Sequence, residues 1–233
     1  EAIRQIPGME AGRFTKRDEV PYDFLRKRLS IVVHDGAKDL MITKGALNEV
    51  LAICDRAEVA EGNVVDIEGV RVAILQQFES QSARGFRTIG VAWKDVTGDP
   101  LINKDDEVGM VFLGFLLLED PPRADIPETL QSLQNLGIAL KVITGDNRLA
   151  AAHLAQQIGL EHRNLLTGQD MAVLDDRALA VRAQSVHLFA EVEPQQKERL
   201  IRALSAKGHV VGYLGDGIND APALKAADVG ISV

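Results

Sequence analysis

A regular alternation governs the second half of this chain. Ile126 to Leu136 reads as a helix, Ala139 to Ile143 as a buried strand, and Arg148 to Ile158 as a helix. Leu188-Phe189-Ala190 then reads as a strand, Gln195 to Lys207 as a helix and Val210 to Leu214 as a strand. Strands that alternate with helical crossovers make a parallel sheet. In open sheets of this kind ligands collect at the carboxyl ends of the strands. Two of these strands end in carboxylates beside glycine: Thr144-Gly145-Asp146, and Gly215-Asp216-Gly217-Ile218-Asn219-Asp220.

The first half is organised differently. Ser30 to His34 and Leu40 to Thr43, joined through Asp35-Gly36, predict a hairpin. Leu47, Val50, Leu51 and Cys54 predict a helix over Ala46 to Arg56, and Val70 to Arg84 repeats that spacing. Arg87 to Trp93 and Phe112 to Leu118 read as strands, and Thr97 to Glu107 as a polar, turn-rich link. The style changes at Asp120-Pro121-Pro122-Arg123, which puts a domain boundary near Leu118 and divides the chain into 1–118 and 119–233.

Charge excludes some partners. Net charge is −8, with 15 basic against 19 acidic residues in 1–118 and 11 against 15 in 119–233. Neither part is a basic nucleic-acid binder, and no polybasic tail is present to read a membrane surface. The longest apolar stretch, Val108 to Leu118, has 11 residues, where a membrane-spanning helix needs roughly 20; it is expected to be a buried strand. A single cysteine, Cys54, leaves no internal disulfide and reads as a packing residue. The start at Glu1 and the end within the apolar Gly230-Ile231-Ser232-Val233 give both ends the look of cuts in a longer chain.

Carboxylate and amide oxygens are hard ligands suited to Mg²⁺, which favours few carboxylates together with phosphate and water. Asp216 and Asp220, four apart at a strand-to-helix turn, can face one cavity and need a cation between them. Taken alone, Thr144-Gly145-Asp146 can equally be a turn with Asp146 capping the next helix. Gly215 to Asp220 departs from Gly-x-Gly-x-x-Gly, because Asp220 replaces the third glycine and Asp216 would repel a pyrophosphate. No Gly-x₄-Gly-Lys-Ser/Thr loop occurs. Lys197, in the first turn of a helix preceded by Pro194, can neutralise phosphate at the same strand ends or be an ordinary surface charge.

Five segments, in order, resemble P-type cation-transporting ATPases. Gly215-Asp216-Gly217-Ile218-Asn219-Asp220-Ala221-Pro222-Ala223-Leu224 is similar to the family's hinge signature. Thr144-Gly145-Asp146 resembles its second phosphate-domain motif, and Asp120-Pro121-Pro122-Arg123 its domain junction. Lys44-Gly45-Ala46 resembles its nucleotide-domain lysine motif, and Asp23 to Ser30 the segment whose phenylalanine stacks adenine. The ten-residue signature is highly specific, whereas each three-residue motif is weak alone. Lys44 to Leu51, Phe189 to Val192 and Gly208 to Gly212 look like the magnesium-transporting branch.

The resemblance implies an α/β fold: a haloacid-dehalogenase-like parallel-sheet phosphorylation domain, incomplete at both ends, with an α+β nucleotide-binding domain built on an antiparallel sheet. It implies that Phe24 stacks on adenine beside Lys44 and Gly45, and that Arg26 and Arg87 contact phosphates, with Asp120 also at the nucleotide site. Thr144, Gly145, Asp146 and Lys197 would handle the phosphoryl group, and Asp216, Asn219 and Asp220 would hold Mg²⁺. ATP, a cation carried by a transmembrane domain and an actuator domain are the implied partners, at the cytoplasmic face of a membrane. Phe24 above a solvated basic face and Arg87 as a plain surface arginine are the ordinary alternatives. The family's phosphorylated aspartate lies in Asp-Lys-Thr-Gly-Thr; no such string occurs, and Asp95-Val96-Thr97-Gly98-Asp99 is a decoy. That predicts a chain that binds ATP without forming the aspartyl-phosphate. Its rivals are a soluble haloacid-dehalogenase-type phosphatase, which should carry its own Asp-x-Asp, and a non-catalytic nucleotide-binding module. Lys104-Asp105-Asp106-Glu107 is not such a motif, reading as a polar loop.

Overall fold

The structure is a computed structural model that describes residues 13–119, 121–215 and 220–232. Its contacts divide into two units. One takes residues up to Phe78 and Thr88–Leu118; the other takes Glu79–Arg87 and Glu119–Val233. The fold class is mixed α/β, with an antiparallel-rich sheet in the first unit and parallel sheets in the second.

In the first unit, β1 (Thr15–Asp23), β2 (Arg28–His34) and β3 (Asp39–Gly45) form an antiparallel meander. The Asp35 carboxylate accepts the amides of Ala37 and Lys38 at the β2–β3 turn, where Gly36 takes φ +96°, a conformation glycine adopts without steric cost. Helix α1 covers only Leu47–Leu51, and Cys54 and Arg56 lie in β4 (Cys54–Glu58), which is followed by β5 (Val64–Asp66). The helix expected over Ala46 to Arg56 therefore ends early. Long-range pairing of β4 with the later strand β7 wins over the local helical spacing. Helix α2 (Arg71–Ala83), which passes into the second unit at Glu79, β6 (Arg87–Val96), which belongs to the first unit from Thr88, and β7 (Met110–Leu118) complete the set.

The sheet has seven strands in the order β1-β2-β3-β6-β7-β4-β5. Val32, Met41, Val50, Ala92, Met110 and Phe112 form its core with Ile74 of α2. Strand β7 differs from the fully buried strand expected: Met110, Val111 and Phe112 are buried, but Leu113, Leu117 and Leu118 are exposed.

The second unit begins with α3 (Ile126–Asn135), β8 (Val142–Ile143) and α4 (Arg148–Gln157). Next come β9 (Leu166–Thr167), α5 (Gly168–Val173), α6 (Asp176–Ser185) and β10 (Leu188–Ala190). Helix α7 (Pro194–Ser205), β11 (Gly212–Gly215), α8 (Ala221–Ala226) and β12 (Val229–Ser232) follow. The strands make two parallel sheets, β8-β10-β9 and β11-β12. All three residues of β10 are buried, as a strand paired on both sides requires. Phe189, Leu200, Ile201, Tyr213 and Ala223 share one core, with Ile143 packed against it.

Candidate functional site

The first unit gathers its candidates around the β1–β2 turn. Asp23 closes that turn: its Oδ1 accepts the amides of Leu25 at 2.7 Å and Arg26 at 3.1 Å, an Asx-type turn. Phe24 stands at the apex, 57% exposed, its ring edge-on to Tyr22 with centroids 5.2 Å apart. An aromatic face left this open is available to stack on a planar base.

Lys44 is exposed at the end of β3, opposite Leu29 in the neighbouring strand. Gly45 explains how the two strands meet: the Lys27 carbonyl accepts the Ala46 amide at 2.9 Å, and a Cβ on Gly45 would lie 2.4 Å from that carbonyl oxygen. The glycine thus clamps the lysine strand to the phenylalanine turn. Arg87, which the division of contacts places with the second unit, is exposed at the first position of β6.

Arg26 is engaged within the protein. Its Nε donates to Asp23 at 2.8 Å, Nη1 to Glu107 at 2.5 Å and Nη2 to the Pro21 carbonyl at 3.0 Å. The hydrogen bond to Glu107 leads in raising the Arg26 pKa. Glu107 is 1% exposed, so the loop reading of Lys104 to Glu107 hides a buried carboxylate. Burial pushes its pKa up, but hydrogen bonds from Arg26, Ser30 and Arg28 outweigh that and hold it below the usual range.

In the second unit, Thr144 and Asp146 fold onto one another beyond β8. The Thr144 hydroxyl donates to Asp146 Oδ2 and accepts the Asp146 amide, both at 3.0 Å. Asn147, not Asp146, caps α4, accepting the Leu149 amide at 2.8 Å. Glu191 laces this loop to the end of β10. Its amide donates to the Asp146 carbonyl at 3.0 Å, and its Oε1 accepts the Arg148 amide at 3.1 Å. It does so at φ +56°, a strained conformation for a residue with a side chain. Gly145 is exposed, and a Cβ there would meet nothing closer than the Val192 carbonyl at 3.6 Å.

The Thr144 carbonyl accepts the Val192 amide at 3.0 Å, two residues before α7. Pro194 is the first residue of that helix, and Lys197 sits in its first turn. Lys197 Nζ donates to Asp220 Oδ1 at 2.8 Å, and the Tyr213 hydroxyl reaches the same oxygen at 3.0 Å. The pair is largely buried, with side chains 17% and 8% exposed. Gly215 is needed here, since a Cβ would lie 2.7 Å from Asp220 Oδ2. Asp120, Asp216 and Asn219 lie outside the described residues. Asp220, a hard oxygen donor held next to a lysine at a strand end, suits a site for a metal-bound phosphate.

Glu107, Tyr213 and Glu191 were not singled out from sequence. Glu107 sits in an acidic run that looks solvated, and its partners are about 80 residues away. Tyr213 looks like a strand residue until Asp220 folds back on it.

The family model for haloacid dehalogenase-like hydrolases matches residues 23–228. The chain is 38% identical over 99% of its length to the magnesium-transporting ATPase, P-type 1, of Salmonella typhimurium, of which it covers 26%. The protein of the same name from Escherichia coli K12 is 38% identical over 96% of the chain, which covers 25% of it. Calcium-transporting ATPase 1 of Bacillus cereus is 30% identical over 93% of the chain, which covers 24% of it. The chain thus spans about a quarter of the length of these relatives. It belongs to the haloacid dehalogenase-like hydrolases.

Proposed function

We propose that this chain is the ATP-handling part of a P-type cation-transporting ATPase, with residues 1–118 binding the nucleotide and 119–233 the transferred phosphoryl group. The observation that carries this reading is the buried Lys197–Asp220 pair at 2.8 Å, whose aspartate lies in the stretch similar to the hinge signature. Phosphoryl transfer spreads negative charge over the equatorial oxygens, so positioned cations supply most of the catalysis. Lys197 is that cation among the described residues. Thr144 and Gly145 offer a hydroxyl and an open backbone, and Asp146 orients the threonine. Asp216, Asn219 and Asp220 would hold Mg²⁺, which would neutralise phosphoryl oxygens when bound.

At the other site Phe24 would stack on adenine and Lys44 would meet the phosphates; the roles of Arg87 and Asp120 at the nucleotide rest on the family resemblance alone. Arg26 acts by fixing the turn, given its partners. The aspartate that becomes phosphorylated belongs to a strand outside these 233 residues. Strands β8 and β11 are each terminal in their sheets among the described residues, so each has an edge able to pair with such a strand. The whole pump would sit with this part at the cytoplasmic face of a membrane, working with an actuator domain and a transmembrane path for the cation. The relatives' names favour magnesium. No helix among the described residues is long and apolar enough to cross a membrane.

Calorimetric titration with ATP tests the reading. Phe24→Ala is expected to weaken binding about tenfold, the order of one lost base–aromatic stack. Unchanged affinity would overturn the adenine site and favour a phosphatase-like protein. With γ-labelled ATP, no acid-stable label should appear on this chain; a hydroxylamine-labile label would refute the absent nucleophile.

A further inference from the structure

We infer that Glu107 is the positioning residue of the nucleotide-binding turn: its buried carboxylate holds Arg26 and Arg28, and through Arg26 the Asp23–Lys27 turn that presents Phe24. The inference rests on the nucleotide-binding reading above and deepens it.

Phe24 has little packing of its own to direct its ring, being 57% exposed with Tyr22 as its ring neighbour. Its direction therefore depends on the backbone on either side. Arg26, two residues after Phe24, ties its own position to the backbone before the ring, through the Pro21 carbonyl and the Asp23 carboxylate. What fixes Arg26 is Glu107. Oε2 accepts from Arg26 Nη1 at 2.5 Å and from Arg28 Nε at 2.8 Å, and Oε1 accepts from Ser30 Oγ at 2.7 Å. Ser30 is bonded in turn to Thr43 of β3 at 2.7 Å.

Glu107 stands on a rigid base. Lys94 of β6 donates to the carbonyls of Asp106 and Val108 on either side of it. A buried ion network is seldom the most stabilising filling for such a space. It does fix direction, because a carboxylate engaged at both oxygens admits few arrangements of the guanidinium groups.

The test titrates this chain with ATP, and with inorganic triphosphate, in EDTA. Glu107→Gln keeps the shape and removes the charge. It is expected to weaken ATP binding roughly tenfold while leaving triphosphate binding unchanged, since the loss passes through the base. Combined with Phe24→Ala, it should add almost nothing further, because the ring it positions is already gone. Glu107→Asp should recover part of the affinity. If Glu107→Gln unfolds the first unit at the titration temperature, Glu107→Asp carries the test, with a loss of about threefold expected.

Unchanged ATP affinity, equal losses for ATP and triphosphate, or additive losses with Phe24→Ala would each overturn the inference. If Phe24→Ala alone has no effect on ATP binding, the nucleotide-binding reading fails and takes this inference with it. If Phe24→Ala weakens binding but the Glu107 variants do not, this inference alone fails.

Discussion

The two units place their charged groups in opposite ways. In the first, the groups proposed to meet the ligand are on the surface, and the buried ionic group, Glu107, stands behind them. In the second, the pair proposed to meet the phosphoryl group is itself buried, Lys197 against Asp220. A surface site can be altered with little effect on folding, whereas a buried pair belongs to the core that surrounds it. The difference suits the tasks: stacking a base needs an open aromatic face, while stabilising phosphoryl charge benefits from low dielectric and fixed partners.

Mutations can break that contrast. Lys197→Met should remove the ammonium bonded to the buried Asp220 carboxylate and destabilise the second unit by about 3–5 kcal/mol. Hydrogen exchange at Phe189 and Leu200 should accelerate while Val32 and Met41 in the first unit stay protected. Uniform acceleration would mean that the units are not energetically separate. Gly45→Ala drives a Cβ into the Lys27 carbonyl and Arg28 Cβ and should cost about 1–3 kcal/mol, together with ATP affinity. A melt showing no loss would remove the proposed strand clamp.

Acidification sharpens the comparison from the other side. Glu107 titrates lower in the folded chain than in the unfolded one. Its contribution is therefore present above the ordinary glutamate range, near pH 4.3, and is lost as pH falls through the depressed folded value. The first unit should loosen in acid with Ser30 and Thr43 amides losing protection, and Glu107→Gln should flatten that dependence. Smallest of all, Phe24→Ala should change stability by no more than about 0.5 kcal/mol, as surface substitutions do. Urea midpoints of the two proteins check this.

Local pattern revealed what local forces decide. The β2–β3 hairpin was legible because Asp35-Gly36 sits between two runs of alternating or apolar residues. Helices α4 and α7 were legible from their apolar spacing. Strand β1 was not, because Thr15–Asp23 carries five charged residues and Pro21 and, among the described residues, pairs with β2 alone; charge and proline are how a sheet edge discourages further pairing. Strand β4 was hidden for another reason, its partner β7 being more than 50 residues away. Among candidate residues, Asp220 and Lys197 could be matched to motifs, but Tyr213 meeting the same oxygen depends on how the chain returns after Gly215. Glu107 lay further still from any motif, since its partners are Arg26 in the β1–β2 turn and Arg28 in β2, about 80 residues away.

Trp93 is the sole tryptophan of the chain. It lies in β6 of the first unit, where its indole nitrogen donates to Glu58 at 3.0 Å and the Lys38 ammonium sits 5.5 Å from its ring centroid. Its emission is therefore an optical reporter of one unit only. Followed beside far-ultraviolet circular dichroism, which sees every helix, it turns a single denaturation experiment into a measure of whether the two halves come apart together or in sequence.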